Sequence, residues 1–241
     1  MSTARRQLGA ATVEFYVVSF FVLIPVIMGM MQMGMFMVAK NTVNLAALAT
    51  ARAGAASKGH KGEMATAFAT ALSPLYVAKG IGALNNAGFT DVSNGNYAQI
   101  MGVAYSRART DVSMPYNSIT KLNPTANSFA DFGVTDRSGN RIIPTTNILN
   151  DNAVGAKSKQ TRADALLLKV QVRYCYEMVF PVIDELIYKA MTINPLTQLP
   201  AILSPAEMAC MARKPPNNLR GIPIISQAVV RMTTPPLQSN F

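Results

Sequence analysis

The N-terminal segment combines residues that could form an ion pair inside a membrane after cleavage of the chain. Arg5 and Arg6 precede Gly9, Glu14 follows, and an apolar run begins at Phe15. A carboxylate at the edge of a membrane helix is costly unless it is paired or interfacial. If the chain is cut after Gly9, Glu14 becomes the fifth residue, and its carboxylate can pair with the new α-amino group of a neighbouring subunit. The alternative is that Glu14 only complements the positive end of the helix dipole.

The two cysteines offer a second kind of chemistry. Cys175 and Cys210 are the only cysteines, and His60 is the only histidine, so a zinc site is poorly supported. We favour one disulfide, which contributes about 3–4 kcal/mol for a loop of this size. Such a bond places the C-terminal region outside the cytoplasm. Two buried reduced thiols are the alternative.

Other reactive patterns are incomplete. The Gly80–Gly82 pair lacks the third glycine of a dinucleotide site. Asp111 and Ser113 begin like a metal-ion adhesion motif, but Pro115 occupies the position where a second serine is needed. No serine, histidine and aspartate form a convincing triad. We therefore expect no catalytic residue, no metal site and no cofactor, and a protein that is not an enzyme.

The composition separates this chain from several classes of protein. It has 241 residues and a net charge of +10, with 50% hydrophobic residues but only 14% charged ones, whereas average soluble domains carry about 25% charged residues. These values exclude a disordered tail protein, a collagen-like chain and a disulfide-dense miniprotein. A polytopic transporter would need many apolar runs of about 20 residues each.

One run, residues 15–38, holds the hydrophobic excess. It contains no charged residue, and Gln32 is its only strongly polar member. As a helix it would extend about 36 Å, enough to cross a hydrocarbon core of about 30 Å. A cleaved signal peptide has a shorter apolar core of about 7–15 residues, so we expect a retained span. The lysines and arginines on its two sides do not decide its orientation.

The remaining pattern predicts an α+β fold, with a leader at residues 1–9, a transmembrane and stalk helix at 10–58 and a domain at 59–241. Gly59 is a plausible helix stop, and Pro25 should kink the helix unless neighbouring helices satisfy the freed carbonyl group. We read 117–155 as irregular apart from two short strands. The other predicted elements are helices at 63–77, 97–110 and 181–190, a short helix capped by Ser204 that contains Cys210, and strands near 118–122, 141–143, 168–177 and 224–233.

Residues 168–177 alternate strictly in polarity. Leu168, Val170 and Val172 fall on one face, and Cys175 falls on the other. We expect this strand to pair antiparallel with 224–233. A disulfide would pin the Cys210 helix against the exposed face of the strand.

The residues RRQLGAATVEF resemble the start of the TadE-like family of tight-adherence (Tad) minor pilins and pseudopilins, which are type IV pilin-like. Residues 165–181 and 221–236 are also similar to strands of that family. The resemblance implies that Gly9 is the last leader residue, where a prepilin peptidase cuts. It implies that Ala10 is the mature N-terminus and that Glu14 is the assembly glutamate.

The resemblance also implies a function, a location and partners. The chain would be a structural subunit or assembly factor of an adhesion-related Tad-type pilus, anchored by a single pass in the bacterial inner membrane with its domain periplasmic. Its partners would be the prepilin peptidase, inner-membrane lipid, and other pilin and pseudopilin subunits that contact the N-terminal helix. The positive charges are scattered without interleaved aromatic residues, so nucleic acid is not an expected partner. The alternative is an unprocessed, single-span periplasmic scaffold or binding protein.

Overall fold

The computed structural model describes residues 10–77, 97–146, 153–179, 187–189, 204–212 and 221–241. They form an α+β structure that begins with one long helix, which confirms the predicted fold class. The chain divides into two compact units, Met1–Val38 with Tyr176–Ile222 and Ala39–Cys175 with Pro223–Phe241. Most of the helix predicted at 181–190 lies outside the described residues.

The described elements include a three-stranded sheet in the order β1-β4-β5 and a two-stranded sheet formed by β2 and β3. In chain order the elements are α1 (Ala10–Val18), a π-helical turn (Ser19–Leu23), α2 (Ile24–Ala56), α3 (Lys61–Leu72), a 3₁₀ turn (Ser73–Tyr76), α4 (Tyr97–Val112), β1 (Ser118–Asn123), α5 (Ala126–Phe132), β2 (Val134–Thr135), β3 (Arg141–Ile142), α6 (Arg162–Ala165), β4 (Leu167–Glu177), α7 (Pro205–Met211), β5 (Gly221–Arg231) and a second 3₁₀ turn (Gln238–Asn240).

We refer to α1, the π-helical turn and α2 together as the N-terminal helix, because they follow one another without a break. Pro25 lacks a backbone N–H and cannot make the usual helical hydrogen bond. The π-helical turn lies directly before it, and the Ile24 N–H donates to the Ser19 carbonyl. The backbone thus widens locally and the helix continues to Ala56.

The C-terminal part of α2 presents a stripe of small side chains that are fully covered. Their spacing of three and four residues places them on one face of the helix. Gly54 lies so close to its neighbours that an added Cβ would be 2.8 Å from Leu168 Cδ2 and 2.9 Å from Met64 Sδ. Small residues therefore allow α2 to pack closely against α3 and β4. The buried stripe consists of Ala39, Val43, Ala46, Ala47, Thr50, Ala51 and Ala55.

The N-terminal helix ends in a left-handed turn close to the predicted stop. Lys58 and Gly59 have φ values of +58° and +81°. The Gly59 N–H donates to the Gly54 carbonyl at 2.8 Å, which is a Schellman-type closure. An added Cβ at Gly59 would also lie 2.3 Å from the Phe241 ring, so both the backbone and the packing require glycine there.

The C-terminal segment satisfies the last carbonyl groups of α2. Such groups have no partner within their own helix. The Thr234 hydroxyl donates to the Ala55 carbonyl at 2.9 Å and accepts from the Lys58 N–H at 3.2 Å. The Asn240 amide donates to the Lys58 carbonyl at 3.0 Å. Residues 233–241 therefore hold the end of the helix from a distance of almost 180 residues along the chain.

The central strand β4 confirms the predicted alternation. Leu168, Val170 and Val172 are fully buried. β1 pairs antiparallel with β4, in a register that runs from Ser118 opposite Arg173 to Asn123 opposite Lys169. β5 lies on the other side of β4, as the sequence predicted.

The segment predicted to be irregular contains a helix, so that prediction was wrong over residues 126–132. The helix α5 begins at a capping box in which Thr125 and Ser128 exchange hydrogen bonds. Arg141 closes its other end, because Nε donates to the Phe129 carbonyl at 3.0 Å. Phe129 and Ile143 pack in a core cluster that also contains Ala165, Leu166, Phe132 and Phe241.

We predict that Gly54→Ala destabilises the domain by about 1–3 kcal/mol, because its methyl group would overlap Leu168 and Met64. Urea unfolding of the purified protein in mild detergent, followed by circular dichroism, measures the change. Gly102→Ala is the matched control, since Gly102 lies in α4 and a Cβ there meets no atom within 4 Å. The control should be neutral or stabilised by up to about 1 kcal/mol. Equal unfolding midpoints for the two variants would contradict the close packing at Gly54.

Candidate functional site

The first half of the N-terminal helix exposes large apolar side chains on every face. Between residues 13 and 27 only Ser19 and Pro25 are partly covered. Phe21 is 71% exposed and Val13 is 62% exposed. Soluble monomers rarely expose apolar patches larger than a few hundred Å². This surface therefore requires lipid or other apolar helices around it, and it suggests a membrane anchor. Val13–Ala56 is the one described helix that is long and apolar enough to cross a membrane.

Glu14 lies within this apolar surface and is exposed. Among the described residues it has no hydrogen-bond or ion-pair partner. Ala10 begins α1, and Gly9 lies outside the described residues. The geometry thus leaves the carboxylate of Glu14 accessible to a positively charged group from outside the chain.

Gln32, the polar residue of the apolar run, is covered by the protein itself. Its side chain is 1% exposed, and its Oε1 accepts a hydrogen bond from the Val179 N–H at 3.2 Å. The rings of Phe36 and Tyr176 meet edge to face, with centroids 6.0 Å apart. Burial raises the pKa of Tyr176, whereas its hydrogen bond with Gln32 acts in the opposite direction. One face of the helix is therefore protected from Gln32 onward, while the opposite face stays exposed at Met33 and elsewhere.

A buried hydrogen-bond network surrounds the carboxylate of Asp111. Asp111 is 9% exposed, and Tyr76 donates to its Oδ2. Tyr116 donates to its Oδ1 at 2.8 Å. The hydroxyl groups of Tyr76 and Tyr174 lie 2.9 Å apart. Burial, followed by the nearby Tyr174 and Asp111, raises the pKa of Tyr76 far above its usual value, so its hydroxyl remains protonated.

The same network reaches the backbone at Cys175. Asn117 donates its amide to the Asp111 carbonyl at 2.6 Å, and its Oδ1 accepts from the Cys175 N–H at 2.7 Å. Cys175 is 1% exposed, so the polar face of β4 is covered at this position. Its backbone N–H is held by Asn117, the residue directly before β1.

Cys210 lies in α7, which begins at the predicted capping box of Ser204 and Glu207. The side chain of Cys210 is fully buried. Both Cys175 and Cys210 are disulfide-bonded in the structure, and the chain contains no further cysteine. His60 is exposed.

The role of Asp111 was not predicted from the sequence, where this residue resembled only the start of a metal-ion adhesion motif. Among the described residues no group of three or more metal-ligating side chains is present. The burial of Asp111 could have been predicted from its spacing to the apolar residues of α4. Ile100, Ala104 and Ala108 form the buried face of α4, and Asp111 continues that face. A carboxylate at such a position must have buried hydrogen-bond donors.

These features define a class of protein, an α+β domain carried on a helix suited to anchor it in a membrane. A model of the family described as TadE-like protein matches residues 9–52. The N-terminal segment is therefore TadE-like, which confirms the resemblance given by its first residues. The match supports association with a Tad pilus. No curated protein and no solved structure matches the chain.

The Tyr76 network predicts a loss of stability at alkaline pH. The folded protein holds the Tyr76 proton more tightly than the unfolded chain does, so its contribution is complete below pH 10 and declines as the pH rises further. One such proton corresponds to roughly 1.4 kcal/mol per pH unit. Denaturant titrations between pH 9 and 11 should show a shallower decline for Tyr76→Phe than for the wild type. Tyr97→Phe, at an exposed position, should keep the wild-type slope. Identical slopes in all three proteins would contradict the role of Tyr76.

The cysteines generate a second prediction. Purified full-length protein should migrate faster on a nonreducing gel than after reduction, and its two cysteines should resist alkylation until a reductant is added. The single variants Cys175→Ser and Cys210→Ser should each lose the shift. Two freely alkylated cysteines in the native protein would refute the disulfide.

Proposed function

We propose that this chain is a minor pilin or pseudopilin of a Tad-type pilus, and that it acts as a structural subunit or assembly factor after removal of its leader. Cleavage between Gly9 and Ala10 would create a positive α-amino group at Ala10. The Glu14 carboxylate of a neighbouring subunit would pair with it. The apolar helices of several subunits would then cover one another.

The observation that carries this proposal is the position of Glu14 in the first half of the N-terminal helix, where residues 13–27 are apolar and exposed on all faces. An unpaired carboxylate among apolar side chains is unfavourable in lipid. Its own chain offers no partner among the described residues. A charge supplied by another subunit removes this cost, and it does so only when the helices stand in one register. Glu14 would therefore both stabilise the assembly and align it.

The TadE-like match supports the same segment as the functional one. It begins at Gly9, the residue before the proposed cleavage point, and it ends at residue 52 within α2. The segment that would enter an assembly thus coincides with the segment that the family defines.

The second half of the N-terminal helix is part of the folded domain, which would be carried into the assembly with it. The covered stripe from Ala39 to Ala55 fixes α2 in the fold, and Thr234 closes its end. This part of α2 therefore belongs to the folded unit that begins at Ala39. A disulfide between Cys175 and Cys210 is typical of an oxidising compartment, which favours a periplasmic domain.

Glu14→Val tests the proposal in cells that contain the prepilin peptidase. Mass spectrometry of membrane-extracted protein should give a chain that begins at Ala10, for both the wild type and the variant. The variant should nevertheless be lost from sheared pilus fractions, or should reduce the yield of pili, because its helix lacks the pairing carboxylate. Surface adhesion should fall in parallel.

Glu63→Gln is the matched control, because Glu63 lies in α3 outside the N-terminal helix. It should be processed and assembled as the wild type is. An intact leader on the wild-type protein would contradict the processing step. Normal pili and adhesion with Glu14→Val would instead favour the alternative, a permanently anchored periplasmic scaffold or binding protein.

A further inference from the structure

A groove of about 360 Å³ opens between the first turn of α3, the last turn of α4 and the start of β1. Two cationic side chains, Lys61 and Arg109, line it. No acidic residue belongs to its lining. We refer to it as the Lys61–Arg109 groove.

The two cations keep their charge unneutralised within the described part of the chain. Arg109 Nη1 donates to the Thr66 hydroxyl at 2.8 Å and to the Tyr105 hydroxyl at 3.4 Å, and both acceptors are uncharged. These contacts hold the guanidinium in place while leaving its other N–H groups for a ligand. The ammonium group of Lys61 makes no hydrogen bond or ion pair with any described residue. Neither cation therefore has a carboxylate partner among those residues.

A third positive charge lies close by. Lys121 donates its ammonium group to the Gly59 carbonyl at 3.2 Å, and it also bonds the Asn240 carbonyl. Burial, together with the charge of Lys61, lowers the pKa of Lys121. Lys121 does not line the groove, and backbone carbonyl groups already bind its ammonium group, so the groove itself offers the charges of Lys61 and Arg109.

The rest of the lining narrows the class of ligand. Val112, Met114 and Ile119 provide apolar walls, and Ser118 contributes a half-buried hydroxyl group at the start of β1. The lining contains no aromatic side chain, whereas single-stranded nucleic acids depend on stacking against aromatic rings. The site therefore suits a small anion with a short attached group better than a nucleobase.

We propose that the Lys61–Arg109 groove binds a phosphate group. A carboxylate carries one negative charge, but a phosphate monoester carries nearly two at neutral pH, which matches two cations. Arginine binds phosphate through paired N–H donors, and lysine adds a compact point charge. The phosphate monoester would come either from a small soluble phosphate ester or from the headgroup of a lipid that carries a phosphate monoester, such as phosphatidic acid.

Phosphate titration of the full-length protein in a neutral detergent tests this site. Isothermal titration calorimetry with inorganic phosphate should give saturable binding of one phosphate per chain, and acetate should compete poorly. Arg109→Gln and Lys61→Gln should each weaken the affinity at least tenfold. The ammonium group of Lys61 makes no hydrogen bond to a described residue, so Lys61→Gln tests the charge without removing a contact of the fold.

Arg137→Gln is the matched control, because Arg137 is exposed in the turn between β2 and β3 and does not line the groove. Its affinity should equal that of the wild type. Absence of saturable binding would overturn the proposal, and so would an equal loss of affinity in Arg137→Gln, which would indicate a general charge effect.

Competition distinguishes the two sources of phosphate. Glycerol phosphate that displaces inorganic phosphate, with no effect of phosphatidic acid nanodiscs, would assign the groove to a soluble ester. Displacement by phosphatidic acid nanodiscs but not by phosphatidylcholine nanodiscs would assign it to a lipid headgroup.

Discussion

The N-terminal helix requires two different environments along one continuous backbone, a nonaqueous one and the interior of a folded domain. Residues 13–27 are apolar and exposed on all faces, so they require a nonaqueous neighbour. The stripe that ends near Ala55 consists of small buried side chains, so it requires close contact with a folded domain. The π-helical turn before Pro25 lets both parts share one helix without an interruption. The remaining described structure is organised around the second of these requirements.

Close packing on α2 explains why distant parts of the sequence converge on its end. Gly54 admits Leu168 from β4, and Gly59 admits the ring of Phe241. Thr234 then satisfies carbonyl groups that the helix leaves without partners. Buried polar groups also receive partners elsewhere in the domain. Tyrosine hydroxyl groups donate to the carboxylate of Asp111, because a buried carboxylate is tolerated only with hydrogen-bond donors around it. The domain is thus specified by a few polar contacts within tightly packed small residues.

The parts of the fold that were predictable from the sequence have local causes. Three features depend only on residues that are close together in the sequence, and the structure confirms each of them. They are the alternation of 168–177, the length of the N-terminal helix and the Ser204 capping box. The helix α5 was missed because its capping box uses Ser128, where glutamate or glutamine is the usual partner. The hydrogen bond between the Cys175 backbone and Asn117 was not predicted, because the two residues are 58 positions apart and no local pattern indicates such a contact.

In the candidate site, too, the features with local causes were predictable, and those that depend on tertiary contacts were not. The carboxylate of Glu14 and the apolar run were visible in the sequence because neither depends on tertiary contacts. Gln32 was visible as an exception within the run, but its partner at Val179 was not, because 147 residues separate them. The contrast between Gln32 and Glu14 is informative. The chain covers the polar group of Gln32 with its own backbone, whereas none of its described residues pairs with the charge of Glu14. A charge in an apolar environment costs more than an amide does, so an external partner is needed most at Glu14, and pairing with the α-amino group of another subunit would meet that need.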